Sequence, residues 1–199
     1  MSQIRSNAIE ELHPILANRW SSRAFATDRP VGRDTLMACL EAARWAPSCF
    51  GDEPWRFIVC DKASDQAGWE KLLACLAPKN QQWAKNAPVL LLACAVTAFR
   101  RGGENRWAKY DTGAAGVSLC LQAEALGLAS HQMGGFDSDA VRTAFAIPDD
   151  VTPMAAIALG YQAPADNLDE GFREIELSER KRQPIGSCFF AGAWDKPVG

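Results

Sequence analysis

A chain of 199 residues, 48% of them hydrophobic, can bury one sizeable core and needs no second domain. Its formal net charge of -3 argues against nucleic acid as a partner, which calls for a basic surface. No apolar run reaches the ~20 residues of a membrane span, the start Met1-Ser2-Gln3-Ile4-Arg5 lacks a signal-peptide core, and the seven cysteines form no C-x-x-C pair. A cytoplasmic chain of reduced thiols is expected, without membrane contact, disulfide framework or zinc site.

In chain order, Ile9, Leu12, His13 and Leu16 repeat at i, i+3, i+4 and i+7, which predicts an amphipathic helix ending near Asn18. Pro14 implies a kink in it or a late start. His13 on the apolar side reads as structural, not as a ligand. Then comes Arg19-Trp20-Ser21-Ser22-Arg23-Ala24-Phe25, with two arginines and a hydroxyl at i, i+2 and i+4. In an extended backbone these share one side, away from Trp20 and Ser22. Two guanidinium forks and a hydroxyl suit a terminal phosphate. The spacing equally allows Arg19 to close the preceding helix and Arg23 to be a solvated charge.

Asp34 is positioned to cap a helix through Ala46, closed by Pro47. Trp55–Cys60 reads as a strand entered directly from the 47–53 loop, and Asp65–Ala77 as a helix carrying Trp69, Leu72, Leu73 and Leu76. Val89–Val96 is apolar without alternation, the pattern of a strand covered on both faces at the sheet centre. The basic run Arg100, Arg101, Arg106 and Lys109 reads as a solvated loop or as a contact for dinucleotide phosphates.

Glu104–Leu128 gives the longest helical pattern, with Gly127 as its stop. Gly113, Ala114, Ala115 and Gly116 at its middle imply a close neighbour, because glycine there costs about 1 kcal/mol in helix propensity. Asp137 or Ser138 caps a helix to Ala146, and Met154–Gly160 is a third apolar strand. After a polar stretch, 162–170, the alternation of Ile175 and Leu177 with Glu174, Glu176 and Ser178 predicts a strand or an extended arm. Helices and strands in non-alternating order make the fold class α+β in a single domain spanning 1–199.

Signatures of self-sufficient chemistry are absent. There is no G-x-G-x-x-G after a strand, no P-loop, G-x-S-x-G or H-E-x-x-H, and only His13 and His131 are available to a histidine mechanism. Reactivity borrowed from a cofactor fits this better than a side-chain acid, base or nucleophile.

Four blocks, in order from residue 19 to 184, resemble the nitroreductase family of flavoenzymes. They are Arg19–Phe25, the run Pro47-Ser48-Cys49-Phe50-Gly51-Asp52-Glu53-Pro54-Trp55, the run Met133-Gly134-Gly135-Phe136-Asp137, and Arg180-Lys181-Arg182-Gln183-Pro184. The resemblance implies FMN as cofactor, NAD(P)H as electron donor, and a central mixed β-sheet flanked by helices in an intertwined homodimer whose core is the long helix. It implies phosphate and ribityl contacts from Arg19, Ser21, Arg23 and Arg182, with Arg180 a further match. Pro47, Ser48 and Cys49 would lie against the flavin from the partner subunit. Gln132, Gly134 and Gly135 would face its reactive edge, with the Gly135 backbone near N5. Gly51 and Glu53 stand where the family usually has asparagine and glutamine. A carboxylate there opposes an anionic reduced flavin, unless Glu53 turns outward, is protonated, or the potential or substrate differs. The expected activity is hydride transfer from NAD(P)H to nitroaromatics, quinones or another small electrophile. The alternatives are a specialised flavin reduction (dehalogenation, enal or semialdehyde reduction) and a flavin-binding protein with little turnover.

Overall fold

Residues 11–198 are described by the structure, a computed structural model. Ile9 and the start of the first predicted helix lie outside them. The helix begins late: α1 spans Pro14–Asn18, with proline in its first turn and the His13 imidazole accepting the Ile15 N–H at 3.3 Å. His13 is therefore a cap, consistent with the structural reading.

Four strands carry the architecture: β1 Trp55–Asp61, β2 Val89–Val96, β3 Ala129–Met133 and β4 Val151–Gly160, ordered β1-β2-β4-β3. Every pairing is antiparallel, which corrects the expectation of a mixed sheet for the chain by itself. Both faces are covered, which is why β2 shows no alternation. Leu90, Leu92 and Cys94 join Ala156 and Ala158 of β4 on one face, against Trp69, Leu72, Trp83 and Val141. Val89, Leu91, Ile157 and Leu159 point to the other face, against Leu36, Cys39, Ala115 and Leu119. Fully burying a leucine or isoleucine contributes about 1.5–3 kcal/mol, so this two-sided centre is where the fold holds most firmly. The β2–β4 register shifts between Ala93 and Cys94, opposite Pro153, whose ring nitrogen cannot donate to the ladder.

The helices on one face are α3 Gln66–Cys75, α4 Pro78–Ala84 and α6 Ser138–Phe145; those on the other are α2 Arg33–Arg44 and α5 Ala108–Ala125. Asp65 and Asp137 cap α3 and α6 as their types predict, accepting the Gly68 N–H, and the Asp139 and Ala140 N–H groups. Asp34 is no cap: Gly32 holds that position in α2, and Asp34 sits in the first turn, where a carboxylate favours the helix dipole. The α5 helix is shorter than its pattern, because Glu104 bridges Ala98 and the Asn105 N–H is taken by the Thr97 carbonyl.

The predicted strand in the tail is a helix, α7 Glu170–Leu177. Two residues carried the alternation, and both lie exposed, Ile175 and Leu177. The inward side is set instead by Phe172 and Glu176, four apart. Neither a strand nor an extended arm forms over 174–177; only beyond Ser178 does the chain run to Pro184 outside helix and strand. The described cysteines are unpaired and, except Cys49 and Cys188, buried. Among the described residues no helix is long and apolar enough to cross a membrane, and no group of His, Cys, Asp and Glu could hold a metal.

Candidate cofactor site

Residues 19–24 lie outside helix and strand, and burial alternates over 21–24, while Trp20, expected to point away, lines the same cavity as Arg19, Ser21 and Arg23. Ser22 and Ala24 are buried, whereas Arg19, Ser21 and Arg23 are half-buried on the opposite side. The Arg19 guanidinium donates to Ser21 Oγ at 3.3 Å, so residues two apart do meet. Together with the arm they line a cavity of about 350 Å³ that also receives His131, Arg180, Lys181 and Arg182. Residues separated by some 160 positions thus form one basic concavity.

Each arginine differs in what holds it. Arg180 donates one guanidinium nitrogen to the Arg19 carbonyl and the other to the Ala17 carbonyl, closing the C-terminal end of α1. Burial, then Arg182 and Arg19, weaken its basicity, while Glu124 opposes the shift. The Arg23 guanidinium lies 5.9 Å from the Trp83 ring centroid. The Arg182 side chain is exposed and reaches only its neighbour's carbonyl, that of Lys181.

Behind the loop, His131 of β3 is buried against Trp83, ring centroids 4.5 Å apart, with Nδ1 3.1 Å from the Ser22 carbonyl. That contact makes Nδ1 the protonated nitrogen, donating to the carbonyl. Burial, then the Arg23 charge, pushes the His131 pKa down to about 4, so the ring is neutral at pH 7. Glu176 enters from α7, fully buried. One carboxylate oxygen accepts from Ser22 Oγ at 2.6 Å, and the other from the Arg23 N–H at 2.9 Å.

The other predicted residues lie outside this cavity. In the 47–53 loop, the Cys49 N–H donates to Asp111 of α5 at 3.0 Å, Ser48 Oγ accepts the Glu53 N–H at 3.0 Å, and Pro47, Gly51 and Glu53 are exposed. Phe50, Gly51 and Glu53 all have positive φ, 55°, 65° and 50°. Glu53 is exposed in the single subunit. Gln132 is exposed on β3 and reaches Cys120 Sγ at 3.4 Å, and Gly134 has open space where a side chain would be. A Cβ on Gly135 would sit 2.7 Å from Asn80 Nδ2, which donates to the Gly135 carbonyl at 2.9 Å, so a side chain there would displace that amide. The structure brings Arg19, Ser21, Arg23, Arg180 and Arg182 together. It leaves the 47–53 and 132–135 loops as separate surfaces of one subunit.

The donor set suits a phosphate ester: guanidinium forks, an ammonium and a hydroxyl around one concavity. Trp20 also lines the cavity, and its indole N–H is buried with no hydrogen-bond partner among the described residues.

Comparison with known proteins bears on this geometry. Residues 16–161 match the model of the Nitroreductase family. This chain belongs to the nitroreductase family. A solved structure described as an oxidoreductase containing FMN superposes with a TM-score of 0.90 at 32% identity, covering 98% of each chain. A Desulfovibrio desulfuricans protein solved in complex with FMN gives a TM-score of 0.71 at 25% identity, covering 92% of this chain and 98% of that one. An NADH dehydrogenase of Thermus thermophilus is 32% identical over 192 residues, 80% of this chain and 88% of the relative. The nitroreductase fold expected from the four blocks is therefore present. Reading the sequence did not find Glu176 or His131 as parts of the site, since a lone Glu in a charged tail and a lone His in a short strand carry no spacing signal.

Proposed function

We propose that this nitroreductase-family chain is an FMN-dependent NAD(P)H oxidoreductase that works as a homodimer on small electrophiles such as nitroaromatics or quinones. The observation that carries it is the convergence of Arg19, Ser21, Arg23 and Arg182 on one cavity. In this reading those residues hold the phosphate and ribityl chain, while Pro47, Ser48, Cys49 and Gly51 of one subunit and Gln132, Gly134 and Gly135 of the other bound the ring. FMN, when bound, supplies two-electron transfer between nicotinamide and acceptor, and the protein supplies orientation. The dimer is supported by the exposed apolar side chains of α2 and α5, among them Met37, Tyr110 and Val117, and of the neighbouring residues Trp45 and Phe50.

The test is direct. Protein purified without added flavin should be yellow, release FMN on denaturation, elute as a dimer, and oxidise NADH or NADPH faster when a nitroaromatic or quinone is supplied. Protein that takes up FMN but shows no acceptor-dependent oxidation would be a flavin binder and not a reductase. Failure to take up FMN at all would refute the assignment of the cavity.

A further inference from the structure

Resting on the reading of the cavity as a phosphate-binding site, we propose that Glu176 is a positioning residue, which sets the 19–23 loop from beneath without lining the cavity, and that Arg180, which does line it, braces the other end of the loop: a two-point brace from the tail. An arginine loop gains nothing from a buried carboxylate as an anion ligand, since like charges repel. Glu176 nonetheless lies fully buried directly beneath it. Its two oxygens take the Ser22 hydroxyl and the Arg23 N–H, which are the inward-facing polar groups of the loop. Ser22 Oγ in turn accepts the Ala24 N–H at 3.1 Å. Holding residue 22 inward forces residues 21 and 23 outward, because neighbours in an extended chain point to opposite sides.

Arg180 acts at the other end. Its fork spans the carbonyls of Ala17 and Arg19, so it fixes the residue from which the Arg19 side chain springs. Both clamps come from 176–180, one helical turn and its exit. The tail thus does more than contribute Arg182 to the cavity; it determines the shape of the loop opposite.

The brace predicts a loss specific to phosphate-bearing flavin. Apo-protein would be titrated with FMN and with riboflavin, which lacks the phosphate, following flavin fluorescence. Glu176→Leu leaves the Ser22 hydroxyl and Arg23 N–H without their acceptor, and should weaken FMN binding about tenfold or more while riboflavin changes less than about twofold. Glu176→Gln should rescue, staying within about threefold for FMN, since the amide can accept from Arg23 and donate to Ser22 Oγ, whose proton turns to the Ala24 carbonyl 3.3 Å away. If Glu176→Leu does not fold, Ser22→Ala carries the test, with an FMN-specific loss of about threefold. Equal losses for both flavins, or none for either, would overturn the brace while leaving the cavity assignment standing. Wild-type protein that binds neither flavin would overturn the assignment itself.

Discussion

Two regions of this chain handle exposed functional groups in opposite ways. Around 19–23 the chain closes on itself: a helix end, a strand histidine and the tail all reach the same loop, and its inward groups are met by Glu176, His131 and Arg180. Around 47–53, and on the outward faces of α2 and α5, the backbone is secured but the side chains are not. Asp52 and Asp111 hold the loop, yet Trp45 is 75% exposed, Phe50 75% and Tyr110 78%. The first region is braced from within one subunit, with the Trp20 indole N–H and Asn18 Oδ1 left buried and unmet among the described residues. The second leaves large apolar side chains in the open, and these are what the proposed dimer would cover.

The largest effect should come from the closed region. A buried neutral His131 must take up a proton in the unfolded chain, where its pKa is near the ordinary 6.5, but not in the fold, where it is about 4. Stability is therefore undiminished above about pH 7 and falls as pH drops through the window from 6.5 to 4, by about 3 kcal/mol in all. Urea midpoints at pH 7.5, 6.0 and 5.0 would show this slope, and His131→Asn, which keeps a donor for the Ser22 carbonyl, should flatten it. A wild-type slope identical to that of the variant would show that the imidazole ionises at no cost.

Next in size are the ligand contacts. Arg19→Ala and Arg23→Ala each remove a charge-assisted contact, about 1.5–3 kcal/mol or roughly 10- to 100-fold in FMN affinity. Both should purify largely colourless, and so unfold below the flavin-loaded wild type and near its apo-protein. Full flavin content in both would dismantle the contrast, for the closed region would then not be the phosphate site.

The open region is broken more gently at Asp52, whose carboxylate is 8% exposed and accepts the Arg100 N–H at 3.0 Å and the Asn105 amide at 3.4 Å. Beside it three residues hold positive φ, two of them not glycine, so the loop conformation depends on such tethers. Asp52→Ala should cost about 2 kcal/mol and speed proteolysis between 50 and 53. Unaltered cleavage there would mean that the loop keeps its shape without the carboxylate.

The same contrast explains what was legible in the sequence. Val89–Val96 could be read to the residue, since a strand buried on both faces advertises itself by composition alone. The spacing of Arg19, Ser21 and Arg23 left two readings open, and only the resemblance of the further blocks favoured the convergence that the structure shows. Short polar elements were not legible: α4 has seven residues and β3 five, too few for a period to show, and both are held by distant partners. The tail helix was misread because Ile175 and Leu177 turned out exposed while the inward residue was an acid. Burial of a carboxylate can be anticipated only once its donors, some 150 residues away, are known to be there.

The smallest effect is the most discriminating for the open region. The two glycines at the centre of α5 prove to differ. A Cβ on Gly116 would meet the Gln132 side chain at 3.3 Å, a contact inside the chain, whereas Gly113 has nothing within 4 Å and lies exposed on the stripe of Tyr110 and Val117. In an isolated subunit Gly113→Ala adds a better helix former at a solvent position and should stabilise by about 1 kcal/mol. In a dimer built on this face the added methyl enters a close contact between backbones, and the sign reverses, with weaker association. Unfolding measured across a concentration series separates the two. A concentration-independent gain would show that α5 faces water, while a loss that deepens on dilution would show that the open face is covered by a second copy.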